Sequence, residues 1–339
     1  MSTQIFATFG PSCGQKETLK NMIEEGMTGM RLNLSHTTLS ASEDYIHAYQ
    51  AAAKECIVEP QILIDMQGPE LRVGDLDGPV ELVEGEMVLL AGVDGEERSA
   101  EEAIKKKFPV PPVVTKYTLS GDIILLDDGK IELEIVDSRC ALYAKVLRGG
   151  LLNSRKSIKI KGRQIPMPVL TEHDIANIKE AKTYGVTALM QPFVLCGEDL
   201  CRVREVLKEH GAEDIRIFAK IENRIGVEHL DDILPEADVI VIARGDLGND
   251  MPLWELPAVQ KHIEDKCKEY NKPYIVVTQM LSSMEEHPIP TRAEVSDIFH
   301  AVYHGAWGVM ITGESAIGKY PVEAVRYLAR TADSANFLK

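Results

Sequence analysis

Eight short runs of apolar, often β-branched residues recur along this chain, most of them separated by helix-like segments. They are QIFATFG (4–10), GMRLNLS (29–35), QILIDMQ (61–67), ALMQPFV (188–194), RIFAKIE (216–222), ADVIVIA (237–243), YIVVTQM (274–280) and WGVMITGE (307–314). Apolar character on successive residues, rather than on every second one, marks strands buried on both faces, as in a parallel sheet. Helical patterns cover 16–25, 42–54, 171–184, 253–270 and 291–304. Two of these have strong start signals: Thr171 precedes Glu172 and Asp174, and Thr291 precedes Glu294 at capping-box spacing. Strand and helix alternating eight times predicts an α/β fold, a (β/α)₈ TIM barrel rather than an open sheet.

The rhythm breaks between the third and fourth runs. From about 73 to 164 the chain reads as β-like pieces with turn punctuation, among them GDIILLDDGKIELEIV and ALYAKVLRGG. The alternation in KIELEIV and the DDGK turn predict hairpins in a small all-β domain inserted after strand 3. Setting aside these roughly 90 residues leaves about 250, the usual size of such a barrel. The expected division is a catalytic barrel, 1–72 with 165–339, and a β-rich insertion, 73–164.

The formal net charge of −16 argues against a general binder of nucleic acid or anionic membranes. It also means that any phosphate site needs a locally positive pocket. No basic-then-apolar leader and no apolar stretch of about 18 residues is present, so a cytoplasmic protein without a membrane partner is expected. The six cysteines are dispersed, with no CxxC and no histidine pair at zinc-finger spacing, so neither a disulfide framework nor a zinc site is expected. Cys13, in GPSCG, reads as an incidental loop cysteine.

In a (β/α)₈ barrel the chemistry lies at the C-terminal ends of the strands. Polar residues collect there in this sequence. Arg31, Asn33 and Ser35 share one strand face, with His36 just beyond, and form the floor of an anion site. The third run ends in Asp65 and Gln67, followed by Glu70 and Arg72. The fifth ends in Lys220 and Glu222, the sixth leads into Arg244-Gly245-Asp246, the seventh carries Thr278, and the eighth ends in Thr312 and Glu314. Glu222 and Asp246 are the best pair of hard oxygen ligands for Mg²⁺, which takes one or two carboxylates plus water and substrate oxygens. Lys220 would stabilise charge on a transferring phosphoryl group. As a mere ion pair in the barrel wall, Lys220 and Glu222 would carry a heavy desolvation cost for little stability. Arg31 and Arg72 suit bidentate capture of phosphate or carboxylate. Asn33, Ser35 and Asp65 gather oxygens around one point, as a monovalent cation requires. Gly245 and Gly248 permit close backbone approach to an anion.

Taken together, TFGPS, MRLNLSH, DMQGPELR, LDDG, KIENRIGV, ARGDLG, TQMLSSM, PTRAEVSD and TGESAIGKYPVEAV resemble the pyruvate kinase family, in the family's order and over nearly the whole chain. The resemblance implies a barrel with a β-rich lid after strand 3. The activity it implies is transfer of the phosphoryl group of phosphoenolpyruvate to ADP, giving pyruvate and ATP in glycolysis. By motif match, Glu222 and Asp246 would hold Mg²⁺ (or Mn²⁺), and Lys220 would contact the phosphoryl group in flight. Arg31 would bind phosphate, and Asn33, His36 and Arg72 would serve the nucleotide and phosphate region. Asn33, Ser35, Asp65 and the carbonyl of Met66 match the family's K⁺ site. Thr278, with the backbone amides around Gly245 and Asp246, would hold the pyruvate end near the enolate carbon that takes a proton. Thr312 and Glu314 would support the proton-delivery side. NSRKS aligns with the family's GSKKG, so Lys156 would be the nucleotide contact and Arg155 its neighbour. The acid at Glu70 goes, in this family, with K⁺ dependence.

Three departures accompany the resemblance. Gln67 stands where the family has a lysine, and Gln191-Pro192-Phe193 stands where it has ASF. The chain also stops after the eighth helix, without the family's C-terminal domain of roughly 100 or more residues. No response to fructose 1,6-bisphosphate is therefore expected, and a homo-oligomer is expected to form through the barrel. The lid is expected to hinge near Gly74 and 163–166 and close to exclude water. Two other readings fit fewer residues: a catalytically weak sensor of phosphoenolpyruvate or nucleotide, and a Mg²⁺-dependent pyruvate-enolate lyase or aldolase.

Overall fold

The eight runs close on themselves as eight parallel strands in the computed structural model, which describes residues 2–35, 37–92, 104, 106–139, 141–162 and 165–338. They are β1 (Gln4–Thr8), β2 (Gly29–Asn33), β3 (Gln61–Asp65), β4 (Ala188–Gln191), β5 (Arg216–Ile221), β6 (Val239–Ala243), β7 (Tyr274–Val277) and β8 (Gly308–Met310). Neighbours in sequence are neighbours in the barrel, and β8 returns to β1 through Gln4 opposite Gly308. Seven of the eight strands end earlier than their apolar runs, and β6 ends with its run at Ala243. The polar residues at the run ends lie either in the last ladder positions, as Arg31, Asn33, Asp65 and Lys220 do, or in the loops just beyond, where a barrel keeps its chemistry.

Alternation along the strands sorts the interior into layers. At the N-terminal end Gln61 Nε2 donates to Gln4 Oε1 at 3.1 Å, and the Arg216 guanidinium lies over the Phe218 and Trp307 rings at 5.4 and 5.7 Å. The middle is apolar: Phe6, Leu63, Met190, Phe218, Val241 and Ile275 pack together, with Phe6 and Phe218 edge to face at 6.4 Å. Burying each large side chain there contributes roughly 1.5–3 kcal/mol. Gly29 is required by this layer, because a Cβ would lie 2.6 Å from Phe6 Cε1. Two residues further along β2, on the same face, comes Arg31. The apolar layer is therefore the plug on which the charged layer sits. A second, larger apolar shell fills the space between strands and helices, with Leu19, Ile46, Ile178, Val203, Ile263, Ile298 and Leu328 all buried.

Both capping predictions hold at the level of hydrogen bonds. Helix Glu172–Ala181 starts at a capping box in which Thr171 Oγ1 accepts from Asp174 N at 3.1 Å and Asp174 Oδ2 accepts from Thr171 N at 2.8 Å. Thr291 and Glu294 do the same for helix Arg292–Tyr303. The helical pattern at 253–270 is realised as one helix, Leu256–Glu269, and a separate short helix, Arg244–Asp250, precedes it. Among the described residues no helix is long and apolar enough to cross a membrane. Cys13 is fully buried, its Sγ 3.4 Å from the Thr8 carbonyl, and burial pushes its thiol up to about 11.

The chain divides into two compact units, Met1–Gly68 with Val169–Lys339, and Pro69–Pro168. The second has its own apolar core, built from Val88, Phe108, Leu126, Leu133, Ala144 and Ile160 among others. Its main sheet runs Ile158–Ile160, Ile123–Leu126, Ile131–Asp137, Leu142–Arg148, Met87–Gly92, Lys107–Val110, and Gly150–Leu152 pairs separately with Val80–Leu82. In KIELEIV the alternation is realised: Ile131, Leu133 and Ile135 are buried and the glutamates between them are not. The DDGK turn has Asp127, Asp128 and Gly129 all at positive φ, as its Asp-Asp-Gly composition allows. One short helix, Pro112–Tyr117, adds to the strands, started by the Pro111-Pro112 pair. Of the segment expected to hinge, residues 163 and 164 lie outside the described residues.

Candidate active site

The charged layer of the first unit centres on Asp65, at the end of β3 and 3% exposed. Arg31 of β2 donates from Nε and Nη2 to Asp65 Oδ2 at 2.8 and 2.6 Å, and from Nη1 to Thr8 Oγ1 at 3.2 Å. These contacts use three of the five guanidinium N–H donors. The other Asp65 oxygen, Oδ1, faces the Lys220 ammonium at 3.3 Å, and Lys220 in turn lies 2.7 Å from Glu222 Oε1. The side chains of Lys220 and Glu222 are 14% and 2% exposed. The ion pair anticipated as a costly alternative is thus present, but as part of a chain Arg31–Asp65–Lys220–Glu222 rather than alone.

The protonation of this chain follows from its surroundings. Burial opposes the Lys220 charge, but Asp65, Glu222 and Asp246 outweigh it and hold the ammonium above the ordinary lysine range. Burial likewise opposes ionisation of Asp65, and Lys220 and Arg31 overcome it, so its carboxyl stays below the usual carboxylate range. For Glu222 the balance is reversed. Burial, helped by the negative charge of Asp246 and resisted by Lys220, pushes its carboxyl up to about 7.

Glu222 is also tied to the loop after β4, since Phe193 N donates to Oε2 at 2.8 Å. That amide is offered by Phe193 at φ +55°, immediately after Pro192. Pro192 packs on Gly68, where a Cβ would come within 2.6 Å of Pro192 Cγ at a φ of +63°. Asp246, exposed in the first turn of helix Arg244–Asp250, is close enough to shift both Lys220 and Glu222. Among the described residues, Asp65 Oδ1 and Glu222 Oε1 have no hydrogen-bond donor besides the Lys220 ammonium. No group of three or more His, Cys, Asp or Glu side chains among those residues is arranged to hold a metal alone. Glu222 and Asp246, close enough for one to shift the other, are two carboxylates of the kind Mg²⁺ takes, with water and substrate completing its shell.

Asn33 lies opposite Asp65 across the β2–β3 ladder, and its Oδ1 accepts from Ser35 N at 3.1 Å. Met66 follows, buried, with its N–H given to the Met190 carbonyl at 3.1 Å. The four residues expected around a monovalent cation thus lie at, or within two residues of, two paired strand ends. The loop beyond is held by Asp174, fully buried, whose Oδ1 accepts from Gln67 N and Gly68 N at 3.1 and 3.3 Å while Oδ2 completes its capping box.

On the far side of the mouth, Thr278 sits against Gly245, where a Cβ would lie 3.1 Å from Thr278 Cγ2 and 3.6 Å from its Oγ1. Glu314 is 1% exposed and bridges two loops: Oε1 accepts from Leu281 N at 2.9 Å and Oε2 from Thr312 N at 2.7 Å. It is therefore a holder of the Thr312 loop rather than a group presented to a ligand. Ser315 Oγ accepts from Thr8 N at 2.8 Å, joining the same loop to the residue that braces Arg31.

Arg72 and Lys156 belong to the second unit. Arg72 donates from Nε to Glu70 Oε2 at 2.7 Å and from Nη1 to the Arg155 carbonyl at 2.9 Å. Lys156 Nζ lies 2.7 Å from Asp127 Oδ1, and Arg155 pairs instead with Asp75 at 2.7 Å. Lys156 is thus a neighbour of the DDG turn, whereas Arg155, at φ +61°, turns away to an exposed partner. His36 lies outside the described residues.

Sequence reasoning missed Thr8, Asp174, the Phe193 amide and the paired Arg244 and Asp297. Thr8 had a signal, being a polar residue at the end of an apolar run, like Arg31 and Asp65. For Asp174 the sequence signals only the cap; nothing local reveals that its second oxygen serves a loop more than 100 residues away.

Comparison with known proteins agrees with this geometry. The family described as "Pyruvate kinase, barrel domain" matches residues 1–325. The pyruvate kinase of Geobacillus stearothermophilus is 38% identical over 334 residues, which are 97% of this chain and 56% of that protein. That of Thermococcus litoralis is 39% identical over 334 residues, 97% of this chain and 69% of the relative. That of Chlamydia trachomatis is 35% identical over 325 residues, 96% and 66% respectively. The chain thus spans 56% of the length of the Geobacillus relative, and 69% and 66% of the Thermococcus and Chlamydia ones. With a family match across the barrel and its insertion, and with the strand-end residues gathered at one mouth, the chain belongs to the pyruvate kinase family.

Proposed function

We propose that this chain catalyses transfer of the phosphoryl group of phosphoenolpyruvate to ADP, giving pyruvate and ATP, as a step of glycolysis. The observation that carries the reading is the Lys220 ammonium suspended between Asp65 and Glu222, kept charged, with Arg31 on the far oxygen of Asp65. An oxygen of the ADP β-phosphate attacks phosphorus, the bond from phosphorus to the enol oxygen breaks, and the enolate then takes a proton at its terminal carbon. Positioning and charge stabilisation do most of the work in such transfers. Arg31 binds the phosphoryl group with its remaining donors, and Lys220 neutralises charge as the group moves. Thr278 and the amides of Gly245 and Asp246 hold the carboxylate end, with the Thr278 hydroxyl beside the carbon that is protonated. Glu314 keeps Thr312 in place on that side. Asn33, His36, Arg72 and Lys156 serve the nucleotide.

Two cations and three carboxylates line the mouth of the barrel, Arg31 and Lys220 against Asp65, Glu222 and Asp246, so a phosphate needs added positive charge. Glu222 and Asp246 would hold Mg²⁺ (or Mn²⁺), and Asn33, Ser35, Asp65 and the Met66 carbonyl would hold K⁺. When bound, these ions supply the charge that offsets the phosphoryl and enolate oxygens. Glu70 belongs to this reading as the acid that goes with K⁺ dependence. With it also go a cytoplasmic location, expected from the lack of a leader-like or long apolar stretch, and a homo-oligomer through the barrel, taken from the resemblance.

The test is ATP and pyruvate formation from phosphoenolpyruvate and ADP, with Mg²⁺ omitted in one arm and K⁺ replaced by Na⁺ in another. Equal amounts of both products, abolished without Mg²⁺ and reduced without K⁺, are expected. Binding without turnover would favour a sensor, and pyruvate without ATP a lyase. Unchanged rates without K⁺ would remove the cation from the proposal.

A further inference from the structure

The loop after β7 carries a strain that something must hold. Thr278 has φ +74° and Gln279 φ +53°. A β-branched residue in the left-handed region is an outlier. Such conformations persist only where the surroundings over-determine them, and they collect at functional sites.

Arg244 supplies the restraint. It opens the helix that carries Asp246, and its side chain is only 11% exposed. Nε and Nη2 both donate to the Thr278 carbonyl, at 3.2 and 2.7 Å. Nη2 also reaches the Gln279 carbonyl at 3.3 Å and Met280 Sδ at 2.9 Å. Nη1 is anchored from behind by Asp297 Oδ2 at 2.7 Å, on helix Arg292–Tyr303. A two-point grip on one carbonyl fixes direction as well as distance. The next residue, Gly245, has no Cβ to displace the Thr278 side chain, which packs directly against it. Backbone and side chain of Thr278 are therefore set by two successive residues of one helix.

We propose that Arg244 is a positioning residue that acts through Thr278, and that Asp297 orients its guanidinium for that purpose. It keeps the Thr278 hydroxyl where the enolate carbon receives its proton. This rests on the function proposed above. Lysine would not replace it, because a single ammonium cannot grip the Thr278 carbonyl and the Asp297 carboxylate in fixed directions at once.

The test is a double-mutant cycle of Arg244→Met and Thr278→Ala, scored by kcat, by KM for phosphoenolpyruvate and by the Mg²⁺ concentration giving half-maximal rate. Arg244→Met is expected to lower kcat about 100-fold in the parent, as small misplacements from outside the chemistry do. In the Thr278→Ala background the same substitution should cost less than about 3-fold, because its target is already gone. KM and the Mg²⁺ requirement should stay within about 3-fold of the parent, since the interaction lost belongs to the transition state. Asp297→Asn, on the outer helix, should reproduce the kcat-selective loss at about 10-fold, and decides the matter if Arg244→Met does not fold. An equal loss in both backgrounds, or a raised Mg²⁺ requirement showing action through Asp246, would overturn the proposal. So would unaltered kcat in Asp297→Asn. A parent chain without turnover refutes the function proposed above and this role with it; an active parent with an additive cycle refutes this role alone.

Discussion

Lys220, the next-to-last residue of β5, and Glu222, the residue just past it, meet with Nζ 2.7 Å from Oε1 inside the barrel mouth. A buried ion pair of this kind adds little stability, yet breaking it exposes an uncompensated charge to a poor solvent. If the pair exists for chemistry, apolar replacement of both partners should spare the fold and abolish the activity. Glu222→Gln alone is expected to lower unfolding free energy by about 3 kcal/mol. Lys220→Met with Glu222→Leu should recover most of that loss while leaving no turnover. Urea unfolding of the parent, Glu222→Gln and the double variant checks this, and a double variant less stable than Glu222→Gln would contradict it.

The interior plug below the charged layer has its own weak point at Gly29. An alanine there must displace the Phe6 ring, which packs on Phe218 in turn. Gly29→Ala is expected to cost about 1–3 kcal/mol by overpacking. Because Arg31 stands two residues further along the same face, the binding of phosphate-bearing substrate should weaken too. Thermal unfolding and KM for phosphoenolpyruvate read the two effects.

Glu294 links the loop after β7 to the start of helix Arg292–Tyr303. Its Oε1 accepts from Ser283 N at 2.8 Å and its Oε2 from Ser283 Oγ and Thr291 N at 2.5 and 2.8 Å. Burial raises its pKa, but these hydrogen bonds outweigh it and hold the carboxyl below its ordinary value of 4.5. A carboxyl depressed in the folded state stabilises above its unfolded pKa and loses that contribution as pH falls through the folded one. Glu294→Gln should therefore be less stable than the parent at pH 7, by about 1 kcal/mol as for a lost cap. The two should converge as pH falls below about 4, near the unfolded carboxyl pKa. Melting temperatures across that range provide the check, and a constant difference down to acid pH would contradict it.

The barrel was legible because each strand is a continuous apolar run and buried parallel strands leave no other sequence signature. The insertion was legible for the opposite reason, its alternation and its DDGK turn. At the site, Arg31, Lys220 and Glu222 stood out as charges at the ends of such runs. That Asp65 takes both Arg31 and Lys220 was not legible, because it depends on β2, β3 and β5 facing one axis. The resemblance gave Glu314 a supporting place on the proton-delivery side; that it does so by joining two loops was not legible, because it is set by burial. Arg244 was hidden by its neighbours: Gly245 and Asp246 had obvious uses, and its own target, a strained carbonyl, exists only after the chain has folded.

The central claim is that Lys220 stabilises a phosphoryl group passing from phosphoenolpyruvate to ADP. The most direct measurement is the rate of pyruvate formation by the parent and by Lys220→Met with both substrates, Mg²⁺ and K⁺ saturating, together with phosphoenolpyruvate binding by each. The account predicts turnover in the parent, a loss of about 10³-fold in kcat for the variant, as when a main charge-stabilising group is removed, and binding retained. A Lys220→Met protein that turns over at the parent's rate would contradict it.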